Sequence, residues 1–464
     1  MSTVTSELNH SVRSPARRRR SARPTLLNGG DLLLLLGANV VVIVGLWARA
    51  GGLRGLGDPA VLLTSVGRVT GLVGTYLVLV QLVMLARVPS LERTFGFDSL
   101  TIWHRRNGKL CLSLLLAHAV LITWGYMLSD RISLPGEVSR LITSTAGILT
   151  ATVGLALLIA VVCTSIVIVR RRLAYETWYF VHLYSYLGIA LAFSHQLADG
   201  NDFIGDPLAR SYWYALYFAT LGALVVWRIV MPIARGLRHR LRIERVVEEA
   251  PGVVSLYVAG RDLDRLAVQS GQFFMWRLLT WQDWWRPHPF SLSAAPDGRR
   301  LRLTVKALGD DTARIARVRP GTRVLAEGPY GAFTAERRSR RRAAFIAGGV
   351  GITPIRALLE DMPAGRGDLT LVYRAIDRSD LIFRDELERL ATARGIEVHY
   401  VLGDHRDKRH RSLLAPRHLA QLVPDIAQRD VFVCGPPAMA DGVRASLRRA
   451  GVPRSQIHVE RFAL

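Results

Sequence analysis

Cysteine and lysine are scarce in this chain of 464 residues. The three cysteines, Cys111, Cys163 and Cys434, lie far apart in the sequence. This spacing excludes a disulfide framework and the paired cysteines of a structural zinc site. Two of the cysteines fall within long apolar runs, and we predict that they are packing residues. Lysine occurs only three times, so arginine carries nearly all of the positive charge.

Acidic residues are also few: 37 Asp and Glu stand against 61 Lys and Arg, which gives a formal net charge of +24. A strongly basic balance can indicate phosphate binding in nucleic acid. Much of this excess, however, lies near the N-terminus or beside long apolar runs, where basic residues fix membrane topology and meet anionic lipid. The charge therefore predicts membrane lipid as a partner, and no nucleic acid.

Residues 1–29 lack the apolar core and the small-residue cleavage site of a secretory signal. The segment is polar, basic and rich in serine and proline. Such a composition cannot bury enough apolar surface to offset the entropy of ordering the chain. We predict a disordered basic tail on the cytoplasmic side of a membrane.

Long apolar runs, in contrast, are abundant in the first half of the chain. Six of them have the length of a membrane-spanning helix: 32–48, 69–86, 110–128, 147–169, 178–198 and 212–230. Basic clusters flank these runs on one side, and acidic residues concentrate in the opposite loops. By the positive-inside rule we predict an integral protein of the plasma membrane with six spans and both termini cytoplasmic.

Four histidines lie within these runs or, for His104, just before one of them, and they form two matched pairs. His104 and His118 are separated by 14 residues, and His182 and His195 by 13. At about 1.5 Å rise per residue, either step spans roughly 20 Å, so each helix offers one imidazole near either face of the membrane. Imidazole is costly in a bilayer and usually faces a cofactor, a partner or the bundle interior. The pattern predicts two stacked haems between two helices.

The two spacings are not equivalent. At about 3.6 residues per turn, a 14-residue step returns to nearly the same helix face, whereas a 13-residue step falls off it. The helix with His182 and His195 is therefore predicted to bend, to bulge, or to present its imidazoles to staggered haems. In the alternative interpretation, each histidine is a hydrogen-bonded structural residue of a helix bundle.

After Arg242 the hydrophobic period changes from helical to strand-like. Short strands separated by Gly, Pro and Asp turns predict an antiparallel β-barrel, and the later alternation of strands and helices predicts a doubly wound α/β domain. The predicted fold is thus multidomain. It comprises the tail at 1–29, a six-helix transmembrane haem-binding bundle at 30–240, an FAD-binding barrel at 241–338 and a nucleotide-binding α/β domain at 339–464.

Two turns in the α/β segment are candidates for phosphate binding, because backbone N–H groups there can approach a pyrophosphate at a helix N-terminus. The first comprises Gly348, Gly349, Val350, Gly351, Ile352, Thr353 and Pro354, and the second Cys434, Gly435, Pro436 and Pro437. Arg374 ends the second strand of this segment, where a guanidinium could pair with the 2′-phosphate of NADPH. A solvated surface arginine is the alternative.

The barrel segment contains a short motif that suits a flavin. It comprises His288, Pro289, Phe290 and Ser291, which place an aromatic ring and a hydroxyl on one strand. The alternative is a buried hairpin with Phe290 in the core. An aromatic cluster just upstream is predicted either to pack the barrel on the membrane domain or to touch a cofactor; it comprises Trp276, Trp281, Trp284 and Trp285.

Taken together, these residues resemble the ferric reductase and NADPH oxidase superfamily over about residues 30–464. The resemblance implies FAD, two haems b and NADPH as cofactors, with NADH possible. It assigns His104 and His182 to the cytoplasmic-side haem, and His118 and His195 to the outer one. It also assigns the motif at 288–291 to the flavin, and both turns of the α/β segment to the nicotinamide nucleotide.

The resemblance implies further site residues. Lys306, Gly309 and Thr312 would lie near the FAD phosphates, and the run Gly328, Pro329, Tyr330 and Gly331 would close the barrel site. Phe462 would cover the flavin where nicotinamide enters, and we predict that Phe462 and Ser291 are the catalytic residues. Ala463 and Leu464 follow Phe462, whereas eukaryotic members usually end at that aromatic.

The implied function is that of an NAD(P)H oxidase or ferric-chelate reductase, which passes electrons to an external acceptor, either oxygen or ferric iron. Two alternatives stay open. The chain could be an electron-feeding subunit for an extracytoplasmic redox partner, without a small acceptor of its own. It could also be a flavin reductase that is only anchored to the membrane and whose histidines are structural.

Overall fold

The computed structural model describes residues 29–166, 173, 175–199, 205–404, 407 and 413–461. The predicted tail at 1–29 and the predicted catalytic residue Phe462 therefore fall outside the described residues, apart from Gly29.

The first half of the chain consists of helices. They are α1 Gly29–Trp47, α2 Pro59–Met84, α3 Pro89–Phe95, α4 Phe97–Asp130, α5 Leu134–Ser144, α6 Ile148–Ser165, α7 Tyr175–Asp199, α8 Pro207–Val225 and α9 Met231–His239. Helix starts follow local signals: at α2 the Asp58 carboxylate accepts hydrogen bonds from the backbone N–H groups of Ala60 and Val61, and proline occupies the first helical position. A π-helical turn, Val226–Val230, joins α8 to α9.

Five helical stretches among the described residues are long and apolar enough to cross a bilayer: Gly30–Gly52, Pro59–Met84, Ser99–Asp130, Ile148–Ser165 and Pro207–His239. Large apolar side chains on them are exposed, for example Leu34 at 75% and Phe218 at 69%, as expected for contact with lipid. The five stretches cover five of the six predicted spans, although residues 167–172 lie outside the described part. The remaining predicted span forms α7, whose tyrosine, tryptophan and histidine side chains lower its hydropathy.

The barrel follows α9 directly. Its strands are β1 Arg242–Ala250, β2 Val253–Ala259, β3 Phe273–Leu278, β4 His288–Ser291, β5 Arg300–Lys306 and β6 Val324–Tyr330, with α10 Asp310–Ala316 before β6. They form two antiparallel sheets, in the orders β1-β2-β5 and β4-β3-β6. Single bridges, Arg242 to Arg323 and Leu292 to Leu303, link the sheets around a core that includes the fully buried Leu256 and Val258. The predicted antiparallel barrel is present.

The last domain alternates strands and helices. Its elements are β7 Ala343–Gly348, α11 Ile352–Asp361, β8 Leu369–Ala375, α12 Arg384–Arg394, β9 Glu397–Leu402, α13 Pro416–Leu422, β10 Asp430–Gly435, α14 Pro437–Arg449 and β11 Ile457–Arg461. All pairings are parallel, in the order β11-β10-β7-β8-β9. The strand order reverses between β7 and β10, and ligands of such sheets bind at the carboxyl edge of that switch point.

Candidate functional site

The four predicted histidines lie on two helices that face each other. α4 carries His104 and His118, and α7 carries His182 and His195. The ring centroids of His104 and His182 are 6.1 Å apart, and those of His118 and His195 are 6.3 Å apart. α4 packs along α2, and α7 along α6, whereas α4 and α7 scarcely touch each other. The two imidazole pairs therefore meet across a gap between separately supported helices.

Both separations suit a metal ion held between two imidazoles. Two metal–nitrogen bonds of about 2 Å and two ring radii of about 1 Å add up to about 6 Å. The two pairs have nearly equal separations despite the unequal spacings in sequence. Residues 175–199 form one continuous α-helix, so the bulge considered from the sequence is absent from that helix.

A neighbouring helix holds the His118 ring. Its Nδ1 lies 2.8 Å from the Gly67 carbonyl oxygen on α2, to which it donates. A Cβ placed on Gly71 would lie 2.5 Å from the same nitrogen, so only glycine leaves room for the ring there. A hydrogen bond at one ring nitrogen fixes the tautomer and leaves the other to bind a metal. The His118 ring is thus fixed through Nδ1, which leaves Nε2 as the nitrogen that could bind a metal.

The histidines of α7 have similar support. The Nδ1 atom of His182 lies 3.4 Å from the Ser165 hydroxyl, which also accepts a hydrogen bond from the Trp178 indole. Nδ1 of His195 donates to the Ala192 carbonyl one turn earlier. These contacts leave Nε2 of each ring as the nitrogen that could bind a metal.

His104 differs from the other three. Its Nε2 lies 3.3 Å from the side-chain nitrogen of Gln81 on α2, while its buried Nδ1 has no hydrogen-bond partner among the described residues. The Gln81 amide oxygen also accepts a hydrogen bond from Asn107. Sequence reasoning missed Gln81, because only the packing of α2 on α4 brings it to the histidine.

The flavin motif forms β4, which is hydrogen-bonded to β3. Ser291 is 3% exposed, yet its hydroxyl has no hydrogen-bond partner among the described residues. The rings of His288 and Phe290 lie nearly parallel, with centroids 6.3 Å apart, and the Trp276 indole donates to the Phe290 carbonyl at 3.1 Å. A buried hydroxyl without a partner carries a desolvation cost, and a polar ligand edge removes that cost. The strand therefore fits a flavin.

The residues predicted near the FAD phosphates shape the turn before α10. The Thr312 hydroxyl oxygen accepts hydrogen bonds from the backbone N–H groups of Leu308 and Gly309, at 2.9 and 3.1 Å. The Lys306 ammonium lies 3.7 Å from the Asp380 carboxylate of the α/β domain. Of the run at 328–331, Gly328, Pro329 and Tyr330 end β6, and Gly331 follows with φ +92°.

Both predicted nucleotide turns lie at the switch point of the parallel sheet. The first, from Gly348 to Pro354, connects β7 to α11, and the second, from Cys434 to Pro437, connects β10 to α14. The turns pack so closely that a Cβ on Gly351 would lie 2.2 Å from the Cys434 carbonyl oxygen. A Rossmann-type domain holds a dinucleotide at this place.

Arg374 is placed at the carboxyl edge, but its guanidinium is already engaged. It donates to the backbone carbonyls of Ala375 at 2.7 Å and Val401 at 3.1 Å, and also to that of Gly403. These bonds tie the ends of β8 and β9 together. Arg378 lies in the turn after β8 and is exposed. Because Arg378 also lies at this edge, it is a second candidate cation for a 2′-phosphate.

The predicted catalytic residue Phe462 lies outside the described residues, but the strand before it is placed. β11 ends at Arg461, which pairs with Gly435 of the second nucleotide turn. Glu460 lies near the barrel, 3.8 Å from the position of a Cβ on Gly331. The described chain thus ends beside both the barrel and the nucleotide turn.

An ion-pair network joins the barrel to the α/β domain. Arg302, which is 4% exposed, donates to both carboxylate oxygens of Glu386 at 2.8 and 3.1 Å, and Arg356 donates to the same carboxylate at 2.8 Å. Burial alone would raise the pKa of Glu386, but the two guanidiniums bring it below its usual range.

This network should make stability depend on pH. Because the pKa of Glu386 is lower in the folded than in the unfolded protein, the stabilisation is present above the unfolded pKa and is lost as pH falls through the folded one. Thermal unfolding of Glu386→Gln should therefore be less sensitive to pH than that of the wild type in acid. If the unfolding temperature falls equally with pH in both proteins, the acid sensitivity comes from other groups.

A second charged cluster joins the barrel to the membrane helices. Glu327 on β6 is 5% exposed and lies 3.7 Å from Arg87, 3.8 Å from Arg228 and 3.7 Å from Arg277. The Tyr330 hydroxyl also donates to it at 3.0 Å. Two of the arginines belong to the membrane half, one after α2 and one in the turn between α8 and α9. The Glu327 cluster thus fixes β6 against the helix ends.

Glu92 on α3 belongs to the same region. Burial raises its pKa to about 7, although Arg87 opposes the shift, and Glu327 adds to it. A carboxyl with this pKa is largely protonated below neutral pH. Glu92 thus lies close enough to interact with Arg87 and Arg228, two arginines of the Glu327 cluster. No sequence pattern indicated this site, because its members are up to 240 residues apart.

Two family models match the chain. The one described as ferric reductase like transmembrane component matches residues 70–193, and the one described as oxidoreductase NAD-binding domain matches residues 345–445. The first match includes His104, His118 and His182 and ends two residues before His195. The second includes both turns at the switch point of the parallel sheet.

Curated relatives match the second half. Ferredoxin--NADP reductase B of Sorangium cellulosum is 32% identical over 216 residues, which are 42% of this chain and 88% of that protein. An NADPH oxidoreductase of Mycobacterium tuberculosis is 29% identical, over 50% of this chain and 61% of that protein. A flavohemoprotein of Pseudomonas aeruginosa is 31% identical, over 49% of this chain and 59% of that protein. The chain thus spans less than two thirds of the last two.

Among solved structures, the flavohem-like FAD/NAD binding domain of a nitric oxide dioxygenase from Vibrio cholerae is 23% identical. The match covers 48% of this chain and 99% of that one, with a TM-score of 0.40. A ferredoxin NADP+ reductase from Neisseria gonorrhoeae is 20% identical, over 48% and 97% of the two chains, with a TM-score of 0.41. By its match to the Sorangium relative the chain belongs to the ferredoxin--NADP reductase family, and with the two family models it is a membrane oxidoreductase that joins a ferric-reductase-like transmembrane component to a ferredoxin-reductase-type NAD-binding module.

Proposed function

We propose that this protein carries electrons across the plasma membrane, from cytoplasmic NADPH by way of FAD and two bis-histidine haems b, to an external acceptor. The acceptor is a small molecule, either oxygen or a ferric chelate. The observation that carries the proposal is the pairing of His104 with His182 and of His118 with His195 at 6.1 and 6.3 Å. NADH is the alternative donor.

The imidazole pairs would hold the two haems. When bound, haem b would supply a one-electron carrier, and each haem would be held by one histidine of α4 and one of α7. The chain's own contribution is to fix each ring: α2 holds His118 through Gly67, and Ser165 holds His182. With six spans and both termini cytoplasmic, one pair lies near each membrane face, so together they bridge the bilayer.

FAD would lie against β4, with Ser291 bonded to its polar edge. FAD supplies the conversion of a two-electron donor into single electrons. Lys306, Gly309 and Thr312 would contact its phosphates, and Phe462 would cover its ring. The turns at 348–354 and 434–437 would hold NADPH, with Arg374 at its 2′-phosphate.

Loss of the Ser291 hydroxyl should weaken flavin binding. We expect Ser291→Ala to lower FAD affinity about 5-fold, because one hydrogen bond contributes about 1 kcal/mol. Titration of flavin-depleted protein with FAD measures this. Ser339→Ala is the matched control, since Ser339 bonds the Asp430 carboxylate in the α/β domain. Unchanged FAD affinity with raised thermal stability would show that the Ser291 hydroxyl is only a buried polar group without a ligand.

The role of Arg374 can be tested by cofactor preference. If it contacts the 2′-phosphate, Arg374→Ala should raise KM for NADPH about 10-fold while leaving KM for NADH nearly unchanged. The same measurement on Arg378→Ala tests the exposed arginine in the turn after β8. Equal effects of Arg374→Ala on both donors would assign the residue to bracing β8 and β9. A selective effect of Arg378→Ala alone would move the phosphate site to that residue.

The function as a whole is tested by anaerobic reduction of the purified, detergent-solubilised protein with NADPH, followed by rapid mixing with oxygen. Haem absorbance is recorded throughout. Fast reoxidation with release of superoxide would establish an oxidase. Slow reoxidation by oxygen would favour a ferric reductase or a subunit that feeds an extracytoplasmic partner. Failure of NADPH to reduce haem, or absence of haem after haem-replete expression, would overturn the proposal and favour an anchored flavin reductase.

A further inference from the structure

The four tryptophans on β3 and in the loop between β3 and β4 separate into three environments. Trp276 is 2% exposed in the barrel core. The Trp285 ring lies 5.8 Å from that of Phe180, near the start of α7. Trp281 and Trp284 are 94% and 59% exposed, and Leu279 beside them is 48% exposed. We call Leu279, Trp281 and Trp284 the β3–β4 patch.

The loop that carries the patch is braced by hydrogen bonds. The backbone N–H of Leu279 donates to the Arg323 carbonyl at 2.9 Å, and the Thr280 hydroxyl donates to the buried Asp283 carboxylate at 3.1 Å. Arg277 donates to the Trp285 carbonyl at 2.9 Å. Such a loop holds its indoles outward, where water contact with so much apolar surface is unfavourable.

The position of the loop indicates what covers the patch. Phe180 precedes the histidine His182 by two residues on a helix of the membrane domain, so Trp285 touches that domain at the end where the barrel joins it. At the same end, α9 lies on the barrel sheet so closely that a Cβ on Gly236 would be 2.6 Å from the Leu325 side chain. The patch therefore lies beside the helix ends, where the lipid headgroups of a bilayer around these helices would be.

The chemistry of the patch matches that location. Tryptophan concentrates at membrane–water interfaces, because its ring is apolar and its N–H can bond to water or headgroups. The cations of the loop region are already paired: Arg286 with Asp311, and Arg314 with Asp283. α9 adds Ile233 and Leu237, which are 52% and 70% exposed and lie one turn apart on one face.

We infer that the β3–β4 patch inserts into the headgroup region of the cytoplasmic leaflet and anchors the barrel to the bilayer surface. The anchor would fix the tilt of the barrel under the helix bundle. This inference rests on the membrane domain and not on the proposed electron transfer. Failure of one would therefore leave the other standing.

The test places a fluorescent label on the full chain in phospholipid nanodiscs. The parent variant is Cys163→Ser, because Cys163 is exposed whereas Cys111 and Cys434 are buried. Trp281→Cys carries an environment-sensitive dye, and Trp284→Cys is the second position. Arg389→Cys, exposed on α12 of the α/β domain, is the matched control. Thermal unfolding of each labelled protein establishes that it is folded.

At both tryptophan positions we expect blue-shifted emission and quenching by lipids that carry a nitroxide near the headgroup. That quenching should exceed the quenching at position 389 several-fold, and soluble iodide should quench these dyes less than the control. Similar quenching at all three positions would overturn the inference. Protection from both lipid and iodide would also overturn it, and would show that protein, such as a second copy of this chain, covers the patch.

Discussion

Replacement of His118 by leucine is expected to halve the haem content of the purified protein and to stop electron delivery to the external acceptor. The remaining haem, between His104 and His182, should still be reduced by NADPH. The reason is that a leucine offers no ligand, while the two imidazole pairs lie in different parts of α4 and α7 and are supported by different neighbours. Haem absorbance per protein and the rate of acceptor reduction measure the two effects.

The pairing itself predicts how a second variant behaves. His195→Leu should reproduce the loss seen in His118→Leu, and the double variant should lose little more, because both residues hold one group. His399→Leu, on β9 of the α/β domain, is the matched control and should retain full haem content. Full haem content in His118→Leu would instead identify the histidine as a structural residue that bonds Gly67.

The second large effect is expected at the Glu327 cluster. Glu327→Gln leaves Arg87, Arg228 and Arg277 without their shared carboxylate, and an uncompensated buried charge costs about 3–5 kcal/mol. The barrel should then shift relative to the helix ends. Electron transfer weakens steeply with the distance between the carriers. We therefore expect reduction of flavin by NADPH to keep its rate, and the transfer from flavin to haem to slow several-fold.

Stopped-flow absorbance separates these two steps, since flavin and haem absorb at different wavelengths. Glu244→Gln is the control, because Glu244 makes an exposed ion pair with Arg300 on the same barrel, and such pairs contribute little. Equal slowing of both steps in Glu327→Gln would mean that the variant damages the barrel as a whole. Unchanged transfer would show that the cluster does not position the two halves.

Sequence alone predicted the long apolar helices and the later change to strands, but not the shorter helices α3, α5 and α9. The glycine turn at 348–354 falls between a strand and a helix because only backbone without bulky side chains can approach Cys434 so closely. The apolar runs became helices at nearly the predicted places. These features depend on local periodicity and on residues close in sequence, which the chain displays directly.

The site residues also differ in whether local spacing or long-range packing reveals them. Spacing singled out His104, His118, His182 and His195, because imidazoles in apolar helices are conspicuous. Spacing could not indicate that Gln81 would meet His104, or that Arg374 would bind backbone carbonyls in place of facing solvent. Those contacts arise from the packing of elements that are distant in sequence.

The clearest contrast is between β4 and β6. The sequence by itself marked Ser291 through its motif, and only the structure showed that the hydroxyl is buried without a partner. Nothing in the sequence marked Glu327, one carboxylate among 37 acidic residues. Its importance comes from three arginines that reach it from two domains. Local chemistry thus determined the elements and motifs, whereas long-range packing alone decided which charges are buried together.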